Sequence, residues 1–303
     1  MGGMSGVSTK TGMHPGAFCR KKRKVKHFLV NTIGWIDMIC WILVVVFFCT
    51  CSLLFNGDFN KSFIAAGGVV LVMIFIGLSI EVIIETLKKV KGLGTITGFI
   101  TNGPELVCLL VGLLVGDVLF AASTPLGSNF MNPVLLIAAA LVCRVFLKTM
   151  QTNWQYSLTC IVLTASLAVS FYAISISHHI HWMAAGMGIT GILFFKRPPE
   201  PAEQSLEDVV IARWSILPAV FVLISAGYFL DPVVSFASEQ SHAPKGVIGF
   251  FVLATLSSWP EFKSCLALLS RGKYLAAMLN ITVSNITNIW LAAAGVMTYI
   301  FMT

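Results

Sequence analysis

Charge is what this sequence has least of. Aspartate, glutamate, lysine and arginine together make up 11% of its 303 residues, under half the roughly 25% of an ordinary soluble domain. Hydrophobic residues reach 57%. So few charges cannot cover a globule of this size, and apolar runs such as residues 69–80 and 134–143 would be left facing water. Soluble-enzyme and disordered classes are excluded, and a multi-pass membrane protein remains. Acids are scarcer than bases, 13 against 20, but the surplus does not point to nucleic acid. Seven of the bases (Lys10, Arg20, Lys21, Lys22, Arg23, Lys24 and Lys26) crowd into the first 27 residues, which hold no acid. A CxxC pair is also missing. Seven of the eight cysteines (Cys40, Cys49, Cys51, Cys108, Cys143, Cys160 and Cys265) lie in apolar runs, so buried thiols are expected, neither bridged nor metal-bound.

At about 20 apolar residues per crossing, the sequence predicts an all-α multi-pass membrane protein with about nine transmembrane helices. They fall at 29–55, 63–87, 93–115, 118–143, 155–177, 181–195, 214–237, 246–270 and 274–301. The longest connection, residues 196–213, leaves no room for a soluble domain. No cleavable signal peptide is expected, because the first apolar run starts late and is too long for an h-region. Placing the basic tail in the cytoplasm and alternating puts 17 of the 20 bases inside and leaves Lys61 and Lys245 outside and Lys263 within a span. That asymmetry is the positive-inside pattern.

Shifting the sequence by 156 residues aligns two segments without gaps. Pro104 meets Pro260, Glu105 meets Glu261, Gly116 meets Gly272, Ser128 meets Ser284, Asn129 meets Asn285 and Asn132 meets Asn288. The copies lie five spans apart, an odd number, so they enter the membrane from opposite sides. An inverted pair of repeats is expected, with a substrate site near the midplane between two halves. The expected organisation is a basic cytoplasmic tail (1–27) and an extra N-terminal helix (28–62). A first half (63–195) then carries repeat 1 at 93–143, a cytoplasmic linker covers 196–213, and a second half (214–303) carries repeat 2 at 246–301.

The repeated residues are chemically pointed. A glutamate inside an apolar span is costly and marks function, and here each of two follows a proline, which frees the carbonyl four residues earlier. Oxygen-bearing side chains surround them: Thr101 and Asn102 in one copy, Ser257 and Ser258 in the other, then Ser128 with Asn132 and Ser284 with Asn288 at four-residue spacing, one helix face each. Neither motif contains histidine or cysteine. Such an oxygen set suits hard cations such as Ca²⁺, and two carboxylates balance one divalent ion or its equivalent in Na⁺ or protons. The same hydroxyls and amides also serve to pack membrane helices.

At these residues the sequence resembles the cation/calcium antiporter superfamily, the sodium/calcium exchanger-like membrane proteins. Their two α-repeats carry a pattern close to G-[TS]-S-x-P-E followed by G-S-N-x-x-[ND]. The resemblance implies a secondary transporter, not an enzyme, that exchanges Ca²⁺ for Na⁺ by alternating access and needs no cofactor. Glu105 and Glu261 would be the central Ca²⁺ ligands, with Thr101, Asn102, Ser128, Asn132, Ser257, Ser258, Ser284 and Asn288 shared between Ca²⁺ and Na⁺ sites. The expected surroundings are a lipid bilayer, in the plasma membrane, with the N-terminus cytoplasmic. Two other readings stay open: coupling to protons or carriage of another divalent ion, and a non-transporting protein that keeps the fold.

The sequence departs from the family pattern in places. Asn288 stands where many relatives carry Asp, and Ile100, Leu256 and Val283 replace motif glycines. Against a family core of ten helices, the chain adds one span at the start and is expected to lack the last two. Lys263, two residues past Glu261, either faces another helix or cytoplasmic water, or places its ammonium where a transported cation would sit. Asp37 and Asp231 read as interface or helix-packing groups, and the cluster from Ser177 to His181 as an interfacial loop.

Overall fold

The computed structural model describes residues 33–115, 118–201, 211–243, 255–256 and 258–302. The basic tail, Ser257, Gly116, much of the linker and most of the first part of the predicted 246–270 span lie outside these residues. The described chain is all helix, with no strand, and seven of its helices are long and apolar enough to cross a membrane. The protein is an all-α multi-pass membrane protein.

Helix α1 spans Trp35–Leu54 and α2 spans Phe59–Leu87, with Asp58 accepting from the Lys61 amide at 3.0 Å as its cap. Twenty-nine residues make α2 about 44 Å long at 1.5 Å each. That exceeds the roughly 30 Å hydrocarbon core, so the helix extends past it or tilts. The span starting at Leu93 is not continuous. It breaks into α3 (Leu93–Thr101) and α4 (Gly103–Val115) at Asn102. The chain continues through α5 (Val118–Val142), a short α6 (Phe146–Gln151), α7 (Trp154–Ala173) and α8 (His179–Phe195). The last of these, expected at 181–195, is a 17-residue apolar helix, shorter than the other spans. Beyond the linker come α9 (Ile216–Ser241), α10 (Trp259–Ser270) and α11 (Tyr274–Met302).

The heart of the fold is two helix groups. In the first, α2 presents Ala65, Val69, Met73, Ile76, Ile80 and Ile83, at three- and four-residue spacing, to α9's Ala219, Leu223, Ala226, Leu230, Val234 and Ala237, all in one buried cluster. The two run antiparallel, because the Asp58 amide at the start of α2 donates to Gln240 O at the end of α9, 2.9 Å away. In the second, α11 lies mostly buried among α3, α5, α7, α8 and α10. Small residues permit this closeness, as they do between membrane helices generally. A Cβ on Gly94 of α3 would meet the Ala276 backbone of α11, and one on Gly98 would come within 2.7 Å of Asn280 O.

Candidate cation site

Both Pro-Glu motifs sit at helix starts created by a break. Proline lacks the amide that a continuing helix would use, but a helix's first amides have no intrahelical partner anyway. The chain therefore restarts there at little cost. In α4 the order is Gly103, Pro104, Glu105, and in α10 it is Trp259, Pro260, Glu261. Each glutamate thus occupies the third position of a helix whose N-terminal dipole favours negative charge. The turn residue ahead is Asn102 in one case and Ser258 in the other.

Glu261 is fully buried and Glu105 is 8% exposed. Glu105 lies within electrostatic reach of Glu261, so the break regions of the two copies do come together. Among the described residues neither carboxylate joins an ion pair. Glu261 receives the Ser284 hydroxyl at 3.4 Å and also bonds the Thr101 hydroxyl of the other copy. Asn102 is tied across as well. Its Nδ2 donates to Ser284 O at 2.9 Å, and its Oδ1 accepts from Ser284 Oγ at 2.9 Å.

The amides on α5 and α11 pair reciprocally. Asn132 Nδ2 donates to Asn285 Oδ1 at 3.0 Å, and Asn288 Nδ2 donates to Asn129 Oδ1 at 3.1 Å. These are the same bond written twice under the 156-residue shift. Each directs the N–H₂ group of Asn132 or Asn288 at the other copy. The carbonyl oxygens of both are then left buried with no donor among the described residues, as are Oε2 of Glu105, Oε2 of Glu261 and Ser258 Oγ. Buried polar atoms in native folds are nearly always satisfied. Four acceptors at matched positions, all oxygen, form a set that a hard cation would complete.

Of the residues singled out from sequence, the structure brings Glu105, Glu261, Thr101, Asn102, Asn132 and Ser284 into one network, with Asn288 joined through Asn129. Ser128 is buried one turn before Asn132 on α5, Ser258 sits at the break before α10, and Ser257 lies outside the described residues. Asn129 and Asn285 are the connectors that sequence reasoning left out of the site, although their matched spacing was visible. Thr164 of α7, which accepts from Asn285 Nδ2 at 3.4 Å, carried no sequence signal.

Lys263 does not enter the site. Its ammonium lies 2.6 Å from Asp37 Oδ2, with both side chains buried. The stem passes Gly77 of α2, where an added methyl group would come 3.5 Å from Lys263 Cε. The helix-facing reading of Lys263 stands, and Asp37 is its partner. His179 stacks on Phe171 at 4.5 Å, while His178 ends a 3₁₀ turn and bonds Ser175 Oγ at 2.8 Å. Among the described residues no group of three or more His, Cys, Asp or Glu is placed to hold a metal.

Helices that break around two buried carboxylates, enclosed by amide and hydroxyl oxygens, make an arrangement suited to binding a cation within a membrane. Residues 212–301 match the family model described as sodium/calcium exchanger protein. Over that stretch, under a third of the 303 residues, the chain is similar to the sodium/calcium exchanger family. The matched stretch holds Glu261, Ser284 and Asn288; the first copy of the motif lies outside it. No curated protein and no solved structure matches the chain.

Proposed function

We propose that the protein exchanges Ca²⁺ for Na⁺ across a membrane by alternating access, with Glu105 and Glu261 as the central ligands. The observation that carries this reading is the matched set of orphaned oxygens: Oε2 of both glutamates and Oδ1 of Asn132 and Asn288. Two carboxylates neutralise one Ca²⁺, and the amide and hydroxyl oxygens raise the ligand number toward the six to eight that Ca²⁺ takes. Na⁺ competes for the same oxygens. Binding of one therefore displaces the other, and that competition couples the two gradients without any ATP-consuming domain.

The two copies are read as an inverted repeat, supported by the reciprocal Asn132–Asn285 and Asn288–Asn129 bonds and the odd number of spans between copies. In such folds the site stays near the midplane while packed helices shift around it to open either face. The positive-inside distribution supports a cytoplasmic N-terminus, and we assign the protein to the plasma membrane. Lys263 offers no obstacle to cation binding, since Asp37 neutralises it.

Reconstituted protein with an imposed Na⁺ gradient tests the proposal. Ca²⁺ uptake is expected under the Na⁺ gradient and is expected to be lost in Glu105→Gln and Glu261→Gln. Uptake driven by a pH gradient alone would replace Na⁺ with protons as the coupling ion. No uptake under either gradient would sink the transporter reading.

A further inference from the structure

The site residues of the two copies match under the 156-residue shift, but the charges beside them do not. Lys263 and Arg271 of α10 correspond to Val107 and Val115 of α4, and Glu81 of α2 corresponds to Ala237 of α9. Asp37 lies on α1, ahead of the repeat. These four unmatched charges form two ion pairs. In an inverted repeat a matched feature acts alike on both membrane faces, whereas an unmatched one acts on a single face.

Both pairs fasten α10 to the group built on α2 and α9, on which α1 also packs. Lys263 Nζ lies 2.6 Å from Asp37 Oδ2, with side chains 7% and 5% exposed, and Arg271 Nη2 lies 2.5 Å from Glu81 Oε2. The two bases are about 12 Å apart along α10 at 1.5 Å per residue. α2 runs beside α10 in the same direction: Trp259 Nε1 donates to Met73 O at 3.4 Å, the Lys263 stem passes Gly77, and Arg271 reaches Glu81. Beyond α10, Lys273 Nζ donates to Lys88 O at 3.1 Å, where α2 ends. α10 is thereby tied down over its whole length, from the turn ahead of Glu261 to the membrane face. Glu261 stands two residues before Lys263 on this helix and is fully buried.

We propose that Lys263–Asp37 and Arg271–Glu81 are a one-sided latch. They hold α10 against α1 and α2, close the path between Glu261 and the membrane face at Arg271, and bias the protein toward the form open to the other face. Parting these helices strands four charges, and a buried pair resists opening far more than an exposed one. The matching end of repeat 1, with valines in place of the two bases, opens without that cost. The latch rests on the exchanger reading and adds the means by which one face is kept shut. On the orientation given above, the latched face is cytoplasmic. None of the four residues touches the transported ion; they position α10.

The test measures the Ca²⁺ concentration for half-maximal exchange against Na⁺ from each face, in membrane vesicles sealed in either orientation. Two variants each remove one pair without stranding a charge, Lys263→Met with Asp37→Asn and Arg271→Gln with Glu81→Gln, so that one poorly folding protein does not remove the comparison. A latch favouring the closed form about ten to one, released to an even balance, raises the fraction competent at the latched face about fivefold and lowers the other about twofold. Half-maximal Ca²⁺ is therefore expected to fall about fivefold at the latched face and to rise about twofold at the opposite face. The reversed pair, Arg271→Glu with Glu81→Arg, is expected to restore the unaltered values. A general loosening of the fold would move both faces in the same direction, and that result overturns the latch. Unchanged values at both faces, or loss of exchange in both neutral variants, overturn it as well. Unaltered protein separates the two levels. If it exchanges Ca²⁺ for Na⁺ while the variants show no opposed shifts, the latch alone fails; if it carries no Ca²⁺ under any gradient, the exchanger reading fails and the latch falls with it.

Discussion

Lys263 and Asp37 meet as a buried ion pair at 2.6 Å, although one lies two residues past Glu261 and the other at the start of α1. Asp37 also accepts from the Gly34 amide at 2.8 Å, so one carboxylate both caps α1 and fastens it to α10. A buried charge that loses its partner costs on the order of 3–5 kcal/mol. Lys263→Met is expected to destabilise the protein by about that amount, because it strands Asp37. The double variant Lys263→Met with Asp37→Asn is expected to recover most of the loss. Thermal unfolding of the four proteins in detergent gives the coupling directly, and additive losses would mean that the pair is not a functional unit.

Asn132 gives its N–H₂ group to Ser284 Oγ and Asn285 Oδ1 at 3.1 and 3.0 Å. Aspartate has the same shape but no such donor, and it brings a third charge into the site. Asn132→Asp is expected to lower the stability of ion-free protein by about 1–3 kcal/mol, the usual cost of orphaned buried acceptors. Added Ca²⁺ is expected to restore more stability in this variant than in unaltered protein, since the extra carboxylate then has a counter-ion. A melting series against Ca²⁺ reads both effects.

Gly98 lets α3 lie directly on α11, where any Cβ would press on Asn280 O at 2.7 Å. The neighbour is backbone and cannot swing aside. Gly98→Ala is expected to cost about 1–3 kcal/mol from overpacking and to impair transport more than a lipid-facing change such as Leu114→Ala, because α3 ends in Thr101 and Asn102 at the site. Equal transport activity for the two variants would deny the close approach a functional role.

Glu200 of the linker holds the start of α3, accepting from the Gly94 amide at 2.8 and 2.9 Å and the Thr95 amide at 3.4 Å. Burial pushes its carboxyl above the usual carboxylate range, and the two amides, Lys273 and Arg197 oppose that only in part. A carboxyl raised in the folded state adds stability that is fully present below its unfolded pKa and is lost as pH rises through the folded pKa. Stability carried by Glu200 should therefore fall between the ordinary glutamate range and its raised folded value. Glu200→Gln keeps an acceptor for Gly94 and removes the titration. Its melting temperature is expected to lose that part of the pH slope while the unaltered protein retains it; identical slopes would reject the linkage.

Much of this could be read from the chain. The seven long helices follow from apolar length alone, and α2 and α9 show their packing stripes as three- and four-residue spacings. The expected start of α2 at residue 63 falls short of Phe59, because a hydropathy scan overlooks the Asp58 cap. Pro104 and Pro260 marked freed carbonyls inside spans read as continuous, whereas the structure restarts the helix at Gly103 and at Trp259; the repeat spacing flagged Asn129 and Asn285, though not what they bond. Thr164 was invisible because a lone threonine in an apolar helix has no pattern to set it apart.

Sequence by itself determined the membrane class and the acid–amide inventory, because insertion cost acts locally along the chain. Which charges meet was decided only by tertiary packing. Lys263 goes to Asp37 and not to Glu261. That choice depends on how closely glycine-lined helices can approach one another, a distance set by three-dimensional contact between segments far apart in sequence.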